Sequence, residues 1–266
     1  MTGVRGRVYH ALWRRFTQIT GVEPDKQGYL KSVAENLIPG VTEELFLQEL
    51  SRGSGGELDR KFLAVHSSSA LAVNTFAFWK RRPQLLQLGE ETGFAAIEFE
   101  RKCPTGLRGT PPNLDLVAEK PSVVIGVESK LTEYFERKQP DFSPSYRRGK
   151  LPRMEKMWRQ LLQEAADGEP QHLDIAQLIK HYLGLRATYP GRQVALMYLY
   201  WEPTNADEIP EFARHREEIR VMQGKVRDSK VTFKPMTYCQ LWKEWEKLPV
   251  AKDYVKHLKE RYSVAI

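Results

Sequence analysis

Cysteine is nearly absent: the 266 residues hold two, Cys103 and Cys239, with no CxxC or Cys/His spacing of the kind that seats structural zinc. A chain of this length can bury a core large enough to fold without disulfides. With no secretory signal pattern at its start, it is expected in a reducing cytoplasm. Long apolar runs are also missing. The longest, residues 123–127 and 194–201, fall far short of the roughly 20 residues that cross a bilayer, so no membrane span is expected. No serine sits in a GxSxG elbow, and no GxxxxGK[ST] loop occurs, which sets aside the serine-hydrolase and P-loop classes. His66, followed by Ser67, Ser68 and Ser69, therefore reads as a helix start rather than part of a triad.

What the chain does have is an ordinary globular balance, 41% hydrophobic and 28% charged, with a formal net charge of +7. That surplus favours a polyanionic partner, although proteins that never meet nucleic acid also reach it. Helical spacing is expected over residues 9–19, 29–37 and 43–50, and again from the serines towards Trp79. Periodicity then switches to alternation. Residues 94–100 form a first strand, and residues 112–119 and 123–130 form a hairpin about the Lys120-Pro121-Ser122 break. A helix over 174–185 carries Ile175, Leu178, Ile179, Tyr182 and Leu183 on one side, with Gly184 near its end. Residues 194–201 read as a strand buried on both faces, which requires a parallel or mixed sheet covered on each side. A further strand is expected around 231–233, with helices at 240–247 and 251–260. Trp242 and Trp245, three apart, are better suited to the core than to stacking on bases.

The chemistry concentrates in the hairpin. On one strand Glu128 and Lys130 project to the same face, while Ser129 projects oppositely and offers its carbonyl; Asp115 can face them from the preceding strand. Carboxylates ending an apolar run are costly unless paired, hydrogen-bonded or holding a cation. Two carboxylates and a carbonyl make a hard oxygen site suited to Mg²⁺, with Mn²⁺ as a substitute, and such an ion can promote phosphodiester hydrolysis. Lys130 could deprotonate the attacking water or stay an ammonium that stabilises charge. An acid-x-lysine triplet alone carries little, since it recurs at Asp59, Glu100, Glu136 and Asp228. The apolar strand before Glu128 and the acid on the neighbouring strand set this copy apart.

Asn113-Leu114-Asp115 followed by Glu128-Ser129-Lys130 resembles the PD-(D/E)xK nuclease superfamily. The run from Val127 to Phe135 resembles a branch of bacterial restriction endonucleases within it. The Pro-Asp dipeptide behind the superfamily name is absent, because Pro112 stands three positions before Asp115. The resemblance implies an α/β, restriction-endonuclease-like fold: a mixed central sheet flanked by helices, in the order helix, three strands, helix, strand, which this chain matches from about Leu63 to Trp201. It also implies Asp115 and Glu128 as metal ligands, Lys130 as the catalytic lysine, and DNA as the substrate of a metal-dependent endonuclease. The alternative is a non-catalytic DNA-binding protein that reuses the fold. Residues 1–60 are expected as a helical N-terminal region, and 61–266 as the nuclease-like domain with a basic insertion near 136–170.

Three further expectations concern the site. A third ligand can come from the first strand, with Glu98 favoured over Glu100. Gln177 falls on the helix after the motif, where related nucleases carry a glutamine, and reads equally as a site or a surface residue. His181, one turn later, reads as surface or partly buried. In the insertion, Arg147, Arg148, Lys150 and Arg153 are expected to hold the DNA backbone, a loop of that length being either functional or a solvated linker. Homodimerisation is left open.

Overall fold

The computed structural model describes residues 3–53, 57–148, 151 and 154–266. Among them a five-stranded sheet runs in the order β1(Ala96–Lys102), β2(Asn113–Lys120), β3(Val123–Lys130), β4(Gln193–Tyr200) and β5(Val231–Thr237). The first three strands form an antiparallel meander, and β3, β4 and β5 are parallel. Chain chemistry dictates the change. Pro121 and Ser122 give a turn short enough for a hairpin, whereas parallel neighbours need crossovers of a dozen residues or more, which helices here provide.

The helices are α1(Val4–Thr20), α2(Leu47–Leu50), α3(Ser68–Phe76), α4(Pro144–Arg148), α5(Lys156–Asp167), α6(Ile175–Thr188), α7(Pro210–Lys225), α8(Tyr238–Trp245) and α9(Lys252–Tyr262). One sheet face, carrying Ile125, Val127, Met197 and Leu199, packs on a core shared by α1, α3, α8 and α9, in which Trp242 and Trp245 are buried as expected. The other face, carrying Val124, Leu196 and Tyr198, is covered by α5, α6 and α7. Burial from both sides explains why β3 and β4 are apolar at successive positions rather than alternate ones. No helix among the described residues is long and apolar enough to cross a membrane.

Several elements depart from the sequence expectation. Residues 29–37 contain only a short 3-10 turn, Ala34–Asn36, because the buried Asn36 amide donates to the Phe62 and Ala64 carbonyls at 2.6 and 2.9 Å and ties the segment to another part of the chain. Residues 43–50 divide into a 3-10 turn and α2. The insertion is not a plain loop: α5 lies within it and stacks Trp158 on Tyr182 of α6 with ring centroids 4.2 Å apart. The helix α7 was absent from the sequence expectation altogether; it buries Phe212, His215, Ile219 and Met222. The helix start expected at the serines is present, and a second helix also begins on a side-chain cap. Ser67 caps α3 by accepting from the Ala70 amide at 3.1 Å, and Asp174 caps α6 by accepting from the Gln177 amide at 3.0 Å.

α6 is pressed closely onto the first strands. Gly184 lies inside α6, four residues before its last residue, Thr188, and a Cβ at this position would come closer than 3.0 Å to the Cys103 carbonyl oxygen. Gly126 on β3 likewise leaves space that Leu114 and Leu185 fill. Glycine at these two points lets the helix approach the sheet, and the helix carries part of the site described next.

Candidate active site

Strand alternation sends Val124, Gly126, Glu128 and Lys130 to the α6 face of β3, and Ser129 to the opposite face, where its hydroxyl meets that of Tyr238 at 2.6 Å. The regular β2–β3 ladder begins at Leu116 opposite Val127. Beyond it, the Asp115 carboxylate takes the place of a backbone acceptor and receives the Ser129 amide at 2.6 Å. This bond turns the β2 carboxylate towards the motif strand.

Glu128 is 2% exposed and has a cation or ring against each oxygen: Lys130 Nζ lies 2.5 Å from Oε1, and His181 Nε2 lies 2.8 Å from Oε2. Lys130 also donates to Gln177 Oε1 at 2.8 Å. Gln177 and His181 are four residues apart on α6 and so share a face. Burial alone would raise the Glu128 carboxyl, but Lys130 and then His181 outweigh it and hold the group down to about 2. Burial would lower the Lys130 ammonium, yet Glu128, Glu133 and Asp115 together push it above its ordinary value. Asp115 moves the other way. Burial and repulsion from Glu128 drive it well above the usual carboxylate range, against the pull of Lys130.

A cleft of about 710 Å³ opens beside these groups, lined by Asn113, Lys130, Lys138, Gln177, Lys180 and His181 among others. The donor set fits a hard divalent ion. Asp115 is raised by its burial first and then by the Glu128 carboxylate, and added positive charge would offset both. Among the described residues no three His, Cys, Asp or Glu side chains form a ready-made cage.

The structure thus brings Asp115, Glu128, Lys130 and Gln177 together, and it leaves Glu98 out. The Glu98 carboxylate pairs with Arg101 at 2.6 Å. Glu100 is the first-strand acid that acts on Asp115. It takes a left-handed backbone, φ 50°, and the β1–β2 pairing skips Glu100 and Asp115 together while the register on either side is unchanged. His181 is another correction: it is 1% exposed, not a surface residue. Its four-residue spacing from Gln177 was the available signal. Sequence reasoning also passed over Glu133, whose carboxylate accepts the Leu131 and Thr132 amides at 2.8 and 2.9 Å and bonds Ser68. Burial opposes ionisation of Glu133, but Lys130 and these donors lower it below its ordinary value. Of the basic residues expected on the DNA backbone, Lys150 and Arg153 lie outside the described residues, while Arg147 and Arg148 end α4.

A family model described as "Restriction Endonuclease associating with ARP" matches residues 19–263, a span that holds the whole sheet and every site residue named above. No curated protein and no solved structure matches the chain.

Proposed function

The chain belongs to the family of restriction endonucleases associating with ARP and has the restriction-endonuclease-like fold, and on that premise we propose that it is a divalent-metal-dependent deoxyribonuclease. The observation that carries this reading is the gathering of Asp115, Glu128 and Lys130 beside the cleft that Lys130 lines, with Asp115 raised by burial and by its carboxylate neighbour. Asp115 and Glu128 would hold Mg²⁺ or Mn²⁺. When bound, such an ion lowers the pKa of an attacking water and offsets charge at phosphorus. Lys130 donates to Glu128 and Gln177, which occupies two of its three protons and leaves one for a phosphoryl oxygen or the attacking water. Held between two acceptors, the lysine acts as a charge stabiliser rather than a base. Gln177 orients the lysine, and His181 steadies the second oxygen of Glu128.

The test is incubation of the full chain with supercoiled and linear duplex DNA in Mg²⁺, Mn²⁺ or EDTA. Cutting is expected with either metal and not with EDTA, and Asp115→Asn should abolish it while leaving the circular dichroism spectrum unchanged. Lys130→Ala is a poorer probe, because stripping the partner from a buried carboxylate costs about 3–5 kcal/mol and can unfold the chain. Cutting that survives Asp115→Asn would overturn the assigned site. Duplex left intact by the unaltered chain in both metals would overturn the activity.

A further inference from the structure

Taking a charge out of water is costly unless an opposite charge goes with it. Among the lysines, arginines and acids of the described residues three side chains are buried: Glu128, Lys130 and Arg261. The first two pair with each other. Arg261, on α9, is 2% exposed and has no carboxylate beside it. Its Nη2 donates to the Val65 carbonyl at 2.9 Å and to Asn36 Oδ1 at 3.3 Å. Nη1 is enclosed without an acceptor, and Nε is neither enclosed in that way nor bonded to any described residue. The guanidinium carbon lies 4.7 Å from the ring centroid of Phe16 and 4.9 Å from that of Tyr262. Rings and carbonyls soften the loss of water, but none of them neutralises the charge. Burial accordingly lowers the guanidinium below its ordinary value.

Arg261 forms part of the wall of a cavity of about 740 Å³. Phe16 and Ile19 from the end of α1, and Leu37, Ile38 and Val41 from the turn after Asn36, make most of the remainder apolar. A concave, largely apolar wall with one placed polar group, enclosing about 300–1,000 Å³, is the usual form of a site for a small organic molecule. Ile19 is left 43% exposed there, so a ligand's apolar part would cover surface that the fold itself leaves in water. The partly exposed Glu43 and Glu260 line the cavity as well, with His257, and Glu260 lies 3.5 Å from His257 and 3.9 Å from Lys256. Two carboxylates repel a polyanion such as DNA and disfavour a phosphate dianion; an anion with a single charge held at the guanidinium meets that repulsion least. The cavity belongs to the α1 and α9 side of the sheet, whereas the cleft beside Lys130 belongs to the α6 side.

We propose that this cavity binds a small organic monocarboxylate, whose carboxylate accepts from Arg261 Nε and whose apolar body lies against Ile19, Leu37 and Val41. The ligand supplies the negative charge that Arg261 lacks, and the proposal stands apart from the nuclease reading.

The experiment is isothermal titration calorimetry of the full chain with 4-phenylbutyrate, with 4-phenylbutyramide, which keeps the shape and removes the charge, and with inorganic phosphate. The acid should bind one per chain and about tenfold or more tighter than the amide, the difference a charged hydrogen bond makes. Arg261→Gln should abolish that preference. Because removal of a buried guanidinium can unfold a chain, Ile19→Glu is the second variant: it changes an exposed residue, brings another negative charge to the wall, and should weaken the acid about tenfold while moving the amide less. Equal affinity for acid and amide, binding of neither, tighter binding of phosphate than of the acid, or an Ile19→Glu variant that takes up the acid unchanged would each overturn the proposal.

Discussion

Two helical glycines should respond in opposite directions to the same substitution. At Gly184 an added Cβ meets the Cys103 carbonyl oxygen closer than 3.0 Å and the Cys103 Cβ at 3.0 Å, and a backbone carbonyl cannot rotate aside. Alanine is the better helix former by about 1 kcal/mol, but overpacking against a fixed group costs about 3, leaving Gly184→Ala less stable by about 2 kcal/mol. For a chain of this size that is a fall in Tm of about 4–8 °C. At Gly224, near the end of α7, nothing lies within 4 Å, so Gly224→Ala gains the propensity term alone and should raise Tm by about 2 °C. Thermal and urea unfolding followed by circular dichroism would measure both. The Gly184 change has a second consequence. It pushes α6 from the sheet, and α6 brings Gln177 to Lys130 and His181 to Glu128. A displacement near 1 Å at a catalytic group costs on the order of 10²-fold in rate, so DNA cutting should fall further than the stability loss explains. If Gly184→Ala proves as stable as Gly224→Ala, α6 is not seated against Cys103 and the account of how the site is positioned fails.

The two first-strand acids separate cleanly. Glu98→Gln should leave the Mg²⁺ concentration for half-maximal cutting unchanged and lose no more than about 1 kcal/mol of stability with its ion pair to Arg101, whereas Glu100→Gln should raise that concentration about tenfold. A metal titration of cleavage decides between them, and equal effects would show that both acids serve the site. Acid stability should depend on His215, which is fully buried, bonds the Tyr198 hydroxyl at 3.0 Å and is pushed by burial from 6.5 down to about 3. The fold favours the neutral ring, so its contribution is complete above pH 6.5 and is lost as pH falls through the window towards 3; at pH 4.5 the loss is about 3 kcal/mol. Urea midpoints at pH 7 and pH 4.5 should differ less in His215→Gln, and an equal difference would refute the assignment.

The parts of the fold that could be read from sequence were those where one physical signal dominated. The β2–β3 hairpin followed from apolar alternation around Lys120-Pro121-Ser122, and β4 from a run that only two-sided burial explains. The helix α7 was hidden because His215 occupies one of its four buried positions, interrupting an otherwise regular apolar stripe of Phe212, Ile219 and Met222. The opposite error occurred at residues 29–37, where local spacing suggested a helix and Asn36 bonded instead to carbonyls more than twenty-five residues away. Tertiary hydrogen bonds of that kind leave no local trace.

The site divides along the same line. Asp115, Glu128 and Lys130 were legible because charge at the end of a buried strand demands compensation, and sequence alone exposes that conflict. Which groups provide the compensation was not legible. Alternation puts Glu98 and Glu100 on one face and gives no way to choose between them, and a left-handed glutamate at position 100 is not signalled by residue type. His181 could be placed on the face of Gln177 but not against Glu128, since the closeness of α6 to β3 depends on Gly126 and Gly184, whose missing side chains matter only once the packing is known. A motif thus names the charges that the strands bring together, and the glycines that admit a neighbouring helix determine which residues hold those charges in place.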